Sequence, residues 1–183
     1  MQTLLDYFKS YDTISNPELK LTLDTMRRMS GTTRLEDVSW YWESKKEVIL
    51  PSTNISNIEP LKFLTQTESI VLFSNRITNI SSLTGLTNLR HLNLIDNDIL
   101  FLDGINQLRV SELYLGDNLI TNIFPLSNMT NLKVLGLKNN KIKDVTPLKS
   151  LIGLVSVNLT GNPIDSNQVQ SLRGSLPGCK ILF

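Results

Sequence analysis

The stretch LNLIDNDILFL at residues 92–102 is repeated in outline as LYLGDNLITNI at residues 113–123. Both stretches fit the template L-x-L-x-x-N-x-I-x-x-I/L, in which x is any residue. The template recurs around the asparagines at positions 75, 140 and 162, so that successive asparagines lie 22, 21, 22 and 22 residues apart. A repeat of this length and regularity predicts a solenoid of stacked coils.

Each repeat combines two periodicities. Leu92 and Leu94 alternate with Asn93, which predicts a short strand with its leucines on one face. Asn97 follows at the turn, where its side chain can both donate to and accept from backbone groups that the turn leaves open. Apolar residues then recur at every third position, as in Ile77, Ile80, Leu83, Leu86 and Leu89. A period of three favours 3₁₀ turns and extended segments over an α-helix.

The predicted fold class is an α/β solenoid. We expect a curved parallel sheet on the concave face and a mostly 3₁₀ or irregular convex side. Strands are predicted to begin near residues 48, 70, 92, 113, 135, 157 and 181. The first coil is degenerate, because Thr53 replaces the asparagine. The third interval is one residue short, and the deletion is expected on the convex side near Val110.

The two ends of the chain depart from the repeat, which predicts three regions: a helical N-terminal cap at 1–46, repeats at 47–164 and a C-terminal cap at 165–183. Asn16 and Pro17 are signals for a helix start, and Gly31 is a signal for its end. The apolar residues of this helix, Leu19, Leu23, Met26 and Met29, are predicted to share a face. The run Thr33–Glu36 fits a capping box, and Ser166 fits the N-cap of a short final helix.

The N-terminal region allows a second interpretation. Six of the twelve aromatic residues lie before residue 47, and three of them are adjacent: Trp40, Tyr41 and Trp42. Dense aromatic residues beside the first coil favour a cap that covers its apolar flank. The alternative is a separate binding element built on these three side chains.

Composition limits the compartment and the kind of partner. The formal net charge is +1, which predicts neither nucleic-acid binding nor a membrane role. With one cysteine, Cys179, no intrachain disulfide can form, and the N-terminus resembles no signal peptide. We therefore expect a cytoplasmic protein or, alternatively, an exported effector without a classical signal peptide.

Charge is distributed unevenly along the repeats. Five acidic residues and one basic residue lie between 91 and 120, whereas five lysines and one acidic residue lie between 131 and 150. The solenoid should therefore carry a charge step along its axis. Solvated edges of no further consequence are the simpler explanation.

At these residues the chain resembles the short-repeat leucine-rich repeat family. The repeats, together with the run LPGCKI at 176–181, are similar to the repeat regions of bacterial internalins and to the phosphatase-1 regulatory leucine-rich repeat subunit. The resemblance covers about residues 47–183. It implies a curved solenoid that binds another macromolecule on its concave sheet.

No pattern of residues predicts an enzyme. The chain has a single histidine, His91, which excludes a histidine-based metal cluster, and its nine glycines form no phosphate-binding loop. We expect no metal and no cofactor.

Two functions remain in view. The first is a protein-binding module that uses the concave sheet; the second is a structural or assembly subunit that packs through its aromatic cap or its charged edges. The expected partner is a protein, and the chain alone is expected to be monomeric. The residues predicted to contact the partner point outward from the strands or border them: Val71, Phe73, His91, Asn93, Ile95, Asp96, Glu112, Tyr114, Asp117, Lys138 and Asn158.

Overall fold

The structure is a computed structural model that describes residues 2–183. Met1 of the predicted N-terminal cap lies outside the described residues. Within 2–183 the chain forms four α-helices and seven strands, joined on the convex side by 3₁₀ segments. The α-helices are α1 (Leu4–Lys9), α2 (Pro17–Ser30), α3 (Leu35–Glu43) and α4 (Ser166–Ser175).

The strands form one curved parallel sheet in chain order. They are β1 (Glu47–Ile49), β2 (Ser69–Val71), β3 (His91–Asn93), β4 (Glu112–Tyr114), β5 (Val134–Gly136), β6 (Ser156–Asn158) and β7 (Lys180–Leu182). Each begins within one residue of its predicted start, and the parallel order confirms the solenoid. We number the coils 1 to 6 after β1 to β6.

The convex side is built as the period of three predicted. The segments between strands carry 3₁₀ turns at Glu59–Phe63, Ser81–Leu83, Ile105–Gln107, Phe124–Leu126 and Thr146–Ser150. In coil 3 the inward side chains Leu108 and Val110 are two residues apart, whereas Leu86 and Leu89 of coil 2 are three apart. The missing residue therefore falls beside Val110, on the convex side as predicted.

Asparagine side chains at the turns after the strands form hydrogen bonds between neighbouring coils. The Asn118 Oδ1 atom accepts the Ile99 backbone N–H at 3.0 Å. Its Nδ2 group donates to the Leu94 carbonyl at 2.9 Å and to the Leu115 carbonyl at 3.1 Å. The same pattern is repeated at Asn75, Asn97, Asn140 and Asn162. Each asparagine thus satisfies backbone groups in its own coil and in the preceding one.

The residue before each ladder asparagine has left-handed backbone geometry. Ser74, Asp96, Asp117 and Asn139 have φ between 53° and 56°, and Gly161 has φ of 78°. This conformation is uncommon outside glycine, and Asp and Asn tolerate it best because their short side chains bond locally. Asp96 and Asp117, which were predicted as partner contacts, therefore also have a local role in the turn.

The first three helices pack on coil 1 and share its core. Leu4, Phe8, Leu23, Met26 and Trp42 are buried in the same apolar cluster as the leucines of the coils. One hydrogen bond joins the helices to coil 1: the Thr22 hydroxyl donates to the Asn57 carbonyl at 2.6 Å. Another joins α3 to α2: Trp42 Nε1 donates to the Met26 carbonyl at 2.9 Å. The helical region thus covers the flank that coil 1 would otherwise expose.

Helix α2 begins and ends where the sequence indicates, but one of the residues predicted to share its apolar face is exposed. Asn16 caps its N-terminus through a hydrogen bond to Leu19, and Gly31 ends it with φ of 70°. Leu19, Leu23 and Met26 are buried, whereas Met29 is 41% exposed. The prediction for Met29 was wrong because two successive steps of three residues, in a helix of 3.6 residues per turn, rotate Met29 away from Leu23.

Two predicted helix caps were also wrong. Helix α3 begins at Leu35 with Arg34 as its N-cap and without a side-chain cap, so the capping box at Thr33–Glu36 does not form. A capping box forms instead at α1, between Thr3 and Asp6. Helix α4 is capped by Asp165 and not by Ser166, because a carboxylate one residue earlier accepts two backbone N–H groups.

Candidate functional site

The concave face of the sheet presents three rows of outward side chains. The strand register aligns Val71 with Asn93, Asn93 with Tyr114, and Gly136 with Asn158. It also aligns His91 with Glu112. Backbone bonds that extend the ladder past the strands, such as the Ser74 N–H to the Ile95 carbonyl at 2.9 Å, place the remaining predicted residues in a third row. That row contains Phe73, Ile95 and Lys138.

The centre of this face is a polar and aromatic cluster on β3 and β4. His91 Nδ1 lies 3.1 Å from Glu112 Oε2, and the Tyr114 hydroxyl donates to the same oxygen at 3.2 Å. The rings of His91 and Tyr114 are tilted against one another with centroids 5.4 Å apart. We call these three residues the concave triad.

Burial and charge keep the Tyr114 hydroxyl protonated. Partial burial raises the pKa of Tyr114, and the neighbouring Glu112 carboxylate raises it further because a phenolate beside it would be repelled. The hydroxyl therefore remains a donor at neutral pH. With one oxygen bonded twice, Glu112 still has acceptor capacity for a cation that approaches from solvent.

Glycines let the large side chains of this face lie flat against the sheet. A Cβ atom on Gly136 would lie 3.2 Å from Tyr114 Cδ1, so the ring is packed over this glycine on the neighbouring strand. A Cβ atom on Gly116 would lie 3.8 Å from Ile95 and 3.7 Å from the Lys138 side chain. Gly136 of β5 thus leaves the space that the Tyr114 ring occupies.

The outward surface is partly apolar. Phe73 is 38% exposed, and Val71, Ile95 and Tyr114 are half-buried. Two residues that the sequence analysis did not single out extend the middle row at its ends: Ile49 is 46% exposed and Leu182 is 42% exposed. The same strand alternation that identified Val71 would have found both.

The three acidic residues predicted to contact the partner lie in two different settings. Asp96 and Asp117 are exposed at the left-handed turns, and Asp117 accepts a hydrogen bond from Asn139 at 2.7 Å. Glu112 instead lies inside the concave triad. The structure therefore brings Glu112, His91 and Tyr114 together, and it places Asn158 two strands away from Tyr114, beyond Gly136.

A cleft lies outside the concave face, between the helices and the first coils. It has a volume of about 440 Å³ and is lined by mostly polar residues of α2 and coils 1 and 2, among them Glu18, Asn57, Glu59 and Lys62. Glu59 and Lys62 are already bonded to one another and to Tyr7 of α1. Ligand sites are usually enclosed and largely apolar, and this cleft is mostly polar. We therefore interpret it as a groove where the helical cap meets the solenoid.

Within 2–183, no group of three or more His, Cys, Asp or Glu side chains could hold a metal ion. None of the helices in this range combines the length and the apolar character needed to cross a membrane.

Comparisons with known proteins agree with this geometry. The profile described as "Leucine Rich repeats (2 copies)" matches residues 109–150 and 130–178. The chain is similar to a leucine-rich repeat protein from Leptospira interrogans at 26% identity and a TM-score of 0.73, over 78% of this chain and 38% of that one. No curated protein sequence matches the chain.

Two solved internalins from Listeria monocytogenes are also similar. One, inlF, has 25% identity and a TM-score of 0.66, over 93% of this chain and 58% of its own. Internalin C2 has 24% identity and a TM-score of 0.60, over 88% of this chain and 81% of its own. The chain thus spans less than two thirds of the Leptospira protein and of inlF.

The sheet order, the asparagine ladder and these matches show that the chain has a leucine-rich repeat fold. It has the short repeats of about 22 residues, and it resembles the bacterial internalin-type proteins, as the sequence predicted. The family match and the similar structures indicate a module for protein–protein interaction.

Proposed function

We propose that the chain is a non-enzymatic module that binds a partner protein through the concave face. The concave triad carries this proposal, because it presents an oriented aromatic ring beside a carboxylate on an open sheet. An exposed apolar surface bordered by polar groups is typical of a protein interface.

The triad also indicates the chemistry of the partner. Tyrosine is enriched among residues that dominate binding energy, and a ring that is already fixed loses little conformational freedom on binding. Glu112 can accept from a lysine or arginine, while Phe73, Ile95 and Val71 can cover apolar side chains. The partner segment should therefore present apolar side chains together with a cation that reaches Glu112.

The neighbouring rows define where such a segment would lie. Val71, Asn93 and Tyr114 are consecutive across three strands, so a bound segment would run across the strands over coils 2 to 4. Asp96 and Asp117 border this path, and Lys138 and Asn158 extend it towards coils 5 and 6. The same mode of binding requires neither nucleic acid, membrane nor cofactor.

The test is a double substitution, Phe73→Ser with Tyr114→Ala, which removes the apolar centre but touches no inward leucine. The immobilised chain captures its partner from an extract of the source cell, and the affinity of the captured protein is then measured for each variant. The double variant should keep its melting temperature and bind more than ~2 kcal/mol more weakly, which is about thirtyfold. Trp40→Ala and Lys141→Glu are matched controls, since both side chains are exposed and distant from the triad.

The alternative function is a structural or assembly subunit that packs through its cap or charged edges. The exposure of Trp40, 71% beside the buried Trp42, is the observation that favours it. Binding that survives the Phe73→Ser, Tyr114→Ala double variant but is lost on Trp40→Ala or Lys141→Glu would support this alternative and contradict the concave-face proposal.

A further inference from the structure

The concave triad contains the only histidine of the chain, and its bond to Glu112 defines which ring nitrogen is free. Because an ionised carboxylate can only accept hydrogen bonds, His91 Nδ1 must carry the hydrogen in its 3.1 Å contact with Glu112 Oε2. In the neutral imidazole, Nε2 then carries no hydrogen. The His91 side chain is 32% exposed, so a proton from solvent can reach Nε2 without breaking the bond to Glu112.

Glu112 is the charged group that contacts His91, and it comes from β4. On the other side the strand register pairs His91 with the neutral Ser69 of β2. The remaining charged residues on the neighbouring strands and turns are Lys46, Glu47, Glu68 and Arg90. Lys46 and Glu68 are bonded to one another at 2.8 Å, and Arg90 donates to carbonyls of its own turn at 2.9 and 3.0 Å. Glu47 lies a further strand away, on β1.

Proton uptake by His91 would change the charge of the triad and leave its hydrogen bonds in place. With His91 neutral, the triad carries the single negative charge of Glu112. Tyr114 adds no charge, because burial and the adjacent Glu112 carboxylate raise the pKa of its hydroxyl. With His91 protonated, Nδ1 still donates to Glu112, but the imidazolium offsets the carboxylate and the charges of the triad sum to zero.

We propose that the concave face releases a basic partner segment when His91 takes up a proton. This inference rests on the proposed function, in which a lysine or arginine of the partner reaches Glu112. At neutral pH that cation meets an uncompensated carboxylate. In acid it meets a carboxylate already paired with an imidazolium, and the imidazolium itself repels it. Since histidine changes its charge between pH 5 and 8, binding should be tighter at pH 7.5 than at pH 5.5.

The composition of the chain assigns such a change to one side chain. Histidine is the only residue whose ordinary pKa lies in this range, apart from the terminal amino group. The single cysteine does not interfere, because burial raises the pKa of the Cys179 thiol and keeps it neutral. His91 also points outward from β3, away from the buried leucines. The fold should therefore be the same at both pH values, which circular dichroism checks.

The expected effect is moderate because the triad is partly open to solvent. A partly exposed ion pair changes an affinity by roughly fivefold at most, and here a repulsion of similar kind replaces the attraction. We expect the affinity for a basic segment to fall roughly tenfold between pH 7.5 and pH 5.5. Added salt should reduce the difference between the two pH values, because it screens exposed charges.

The test uses a random peptide library selected on the full chain at pH 7.5. Enriched peptides that lack histidine are synthesised, and their affinities for the wild-type chain are measured at both pH values. The peptides should combine Lys or Arg with apolar residues and should bind roughly tenfold more weakly at pH 5.5. Because the chain has one histidine, NMR follows the protonation of His91 directly. The loss of affinity should have the same midpoint as the His91 signal.

Two variants separate the charge of His91 from its hydrogen bond. The amide of His91→Gln can still donate to Glu112 but cannot ionise, so its affinities at pH 7.5 and pH 5.5 should be nearly equal, whatever their value. Glu112→Gln removes the carboxylate charge, and it should already bind the basic peptides weakly at pH 7.5.

The outcomes distinguish this inference from the proposed function. Peptides that bind the Phe73→Ser, Tyr114→Ala variant as well as the wild type, or a library that yields no binder, would contradict both. Peptides that require the concave face but bind equally at the two pH values would overturn this inference alone. So would a loss of affinity in acid that persists in a folded His91→Gln variant or whose midpoint differs from that of the His91 signal.

Discussion

Coils 3 and 4 have almost the same inward residues and entirely different outward ones. Leu92 and Leu94 inside coil 3 correspond to Leu113 and Leu115 inside coil 4, whereas outward His91, Asn93 and Ile95 correspond to Glu112, Tyr114 and Gly116. The inward side chains of both coils are buried, and in a close-packed core a change of one methylene alters the packing. The outward sites are free of that constraint, so their identities carry the information about partners.

The difference predicts that inner and outer substitutions act on different measurements. An inner change should alter the free energy of unfolding. An outer change should leave that quantity nearly constant and alter association, as expected above for Phe73 and Tyr114.

The largest effect should follow from removing the helices that cover the flank of coil 1. Deletion of residues 1–46 exposes the flank of coil 1, where Val48, Leu50, Ile55 and Ile58 are now at most 2% exposed. We expect aggregation or loss of solubility, because a solenoid without a terminal cap presents a contiguous apolar surface. Size-exclusion chromatography of the truncated chain measures it.

A truncated chain that stays monomeric and unfolds with the cooperativity of the full chain would contradict the capping role. It would instead show that the helical region is an independent unit, and the hypothesis of an aromatic binding element around Trp40 would gain support.

A smaller effect is expected inside a single coil. Asn118→Ala leaves the Ile99 N–H and the carbonyls of Leu94 and Leu115 without their side-chain partner. Each unsatisfied buried group costs roughly 1–3 kcal/mol, so the total should be about 3 kcal/mol or more. The matched control is Asn79→Ala, an exposed asparagine whose Oδ1 accepts only the Ser81 N–H at 2.8 Å.

Urea unfolding of both variants tests whether Asn118 stabilises the fold more than the exposed Asn79 does. The Asn118→Ala midpoint should fall several times further than the Asn79→Ala midpoint. Equal shifts would mean that the ladder contributes no more than a surface turn, and the distinction between inner and outer asparagines would fail.

Much of the arrangement inside the coils could be predicted from the sequence because it repeats. The six coils pack and form hydrogen bonds in the same way. Residues equivalent to Leu92, Asn97 and Ile99 therefore occur several times along the sequence. The strand starts, the ladder and the 3₁₀ convex side follow from that redundancy. The cap has no such redundancy, and Met29 and the Thr33–Glu36 box were predicted wrongly because single helix signals compete with tertiary contacts.

The concave site was predictable only as a list of outward residues. The bond between Tyr114 and Glu112, and the packing of that ring over Gly136, depend on side-chain rotamers set by neighbours on adjacent strands.

The smallest expected effect lies where cap and coil meet at the surface. Tyr7 of α1 donates to Glu59 of coil 1, and Lys62 donates to Glu59 at 2.9 Å. The hydrogen bond from Tyr7, which has the larger effect, and the one from Lys62 lower the pKa of Glu59 below its usual value. A lowered folded pKa means that the ionised carboxylate stabilises the fold above its unfolded pKa of about 4.3, and that this contribution is lost as the pH falls through the folded value.

Glu59→Gln should therefore lower the free energy of unfolding at pH 7 by about 0.5–1 kcal/mol, a small value because the Glu59 side chain is 45% exposed and screened by solvent. The difference from wild type should shrink as the pH falls below the unfolded pKa and through the lowered folded pKa, where the wild-type carboxylate also takes up a proton. Glu36→Gln is the matched control, since Glu36 is 58% exposed and lies 4.0 Å from Lys9 within the cap. If Glu59→Gln costs the same at pH 7 and at pH 3, the contact between cap and coil does not depend on the charge of Glu59, and the apolar packing around Trp42 and Leu23 alone holds the helices on the solenoid.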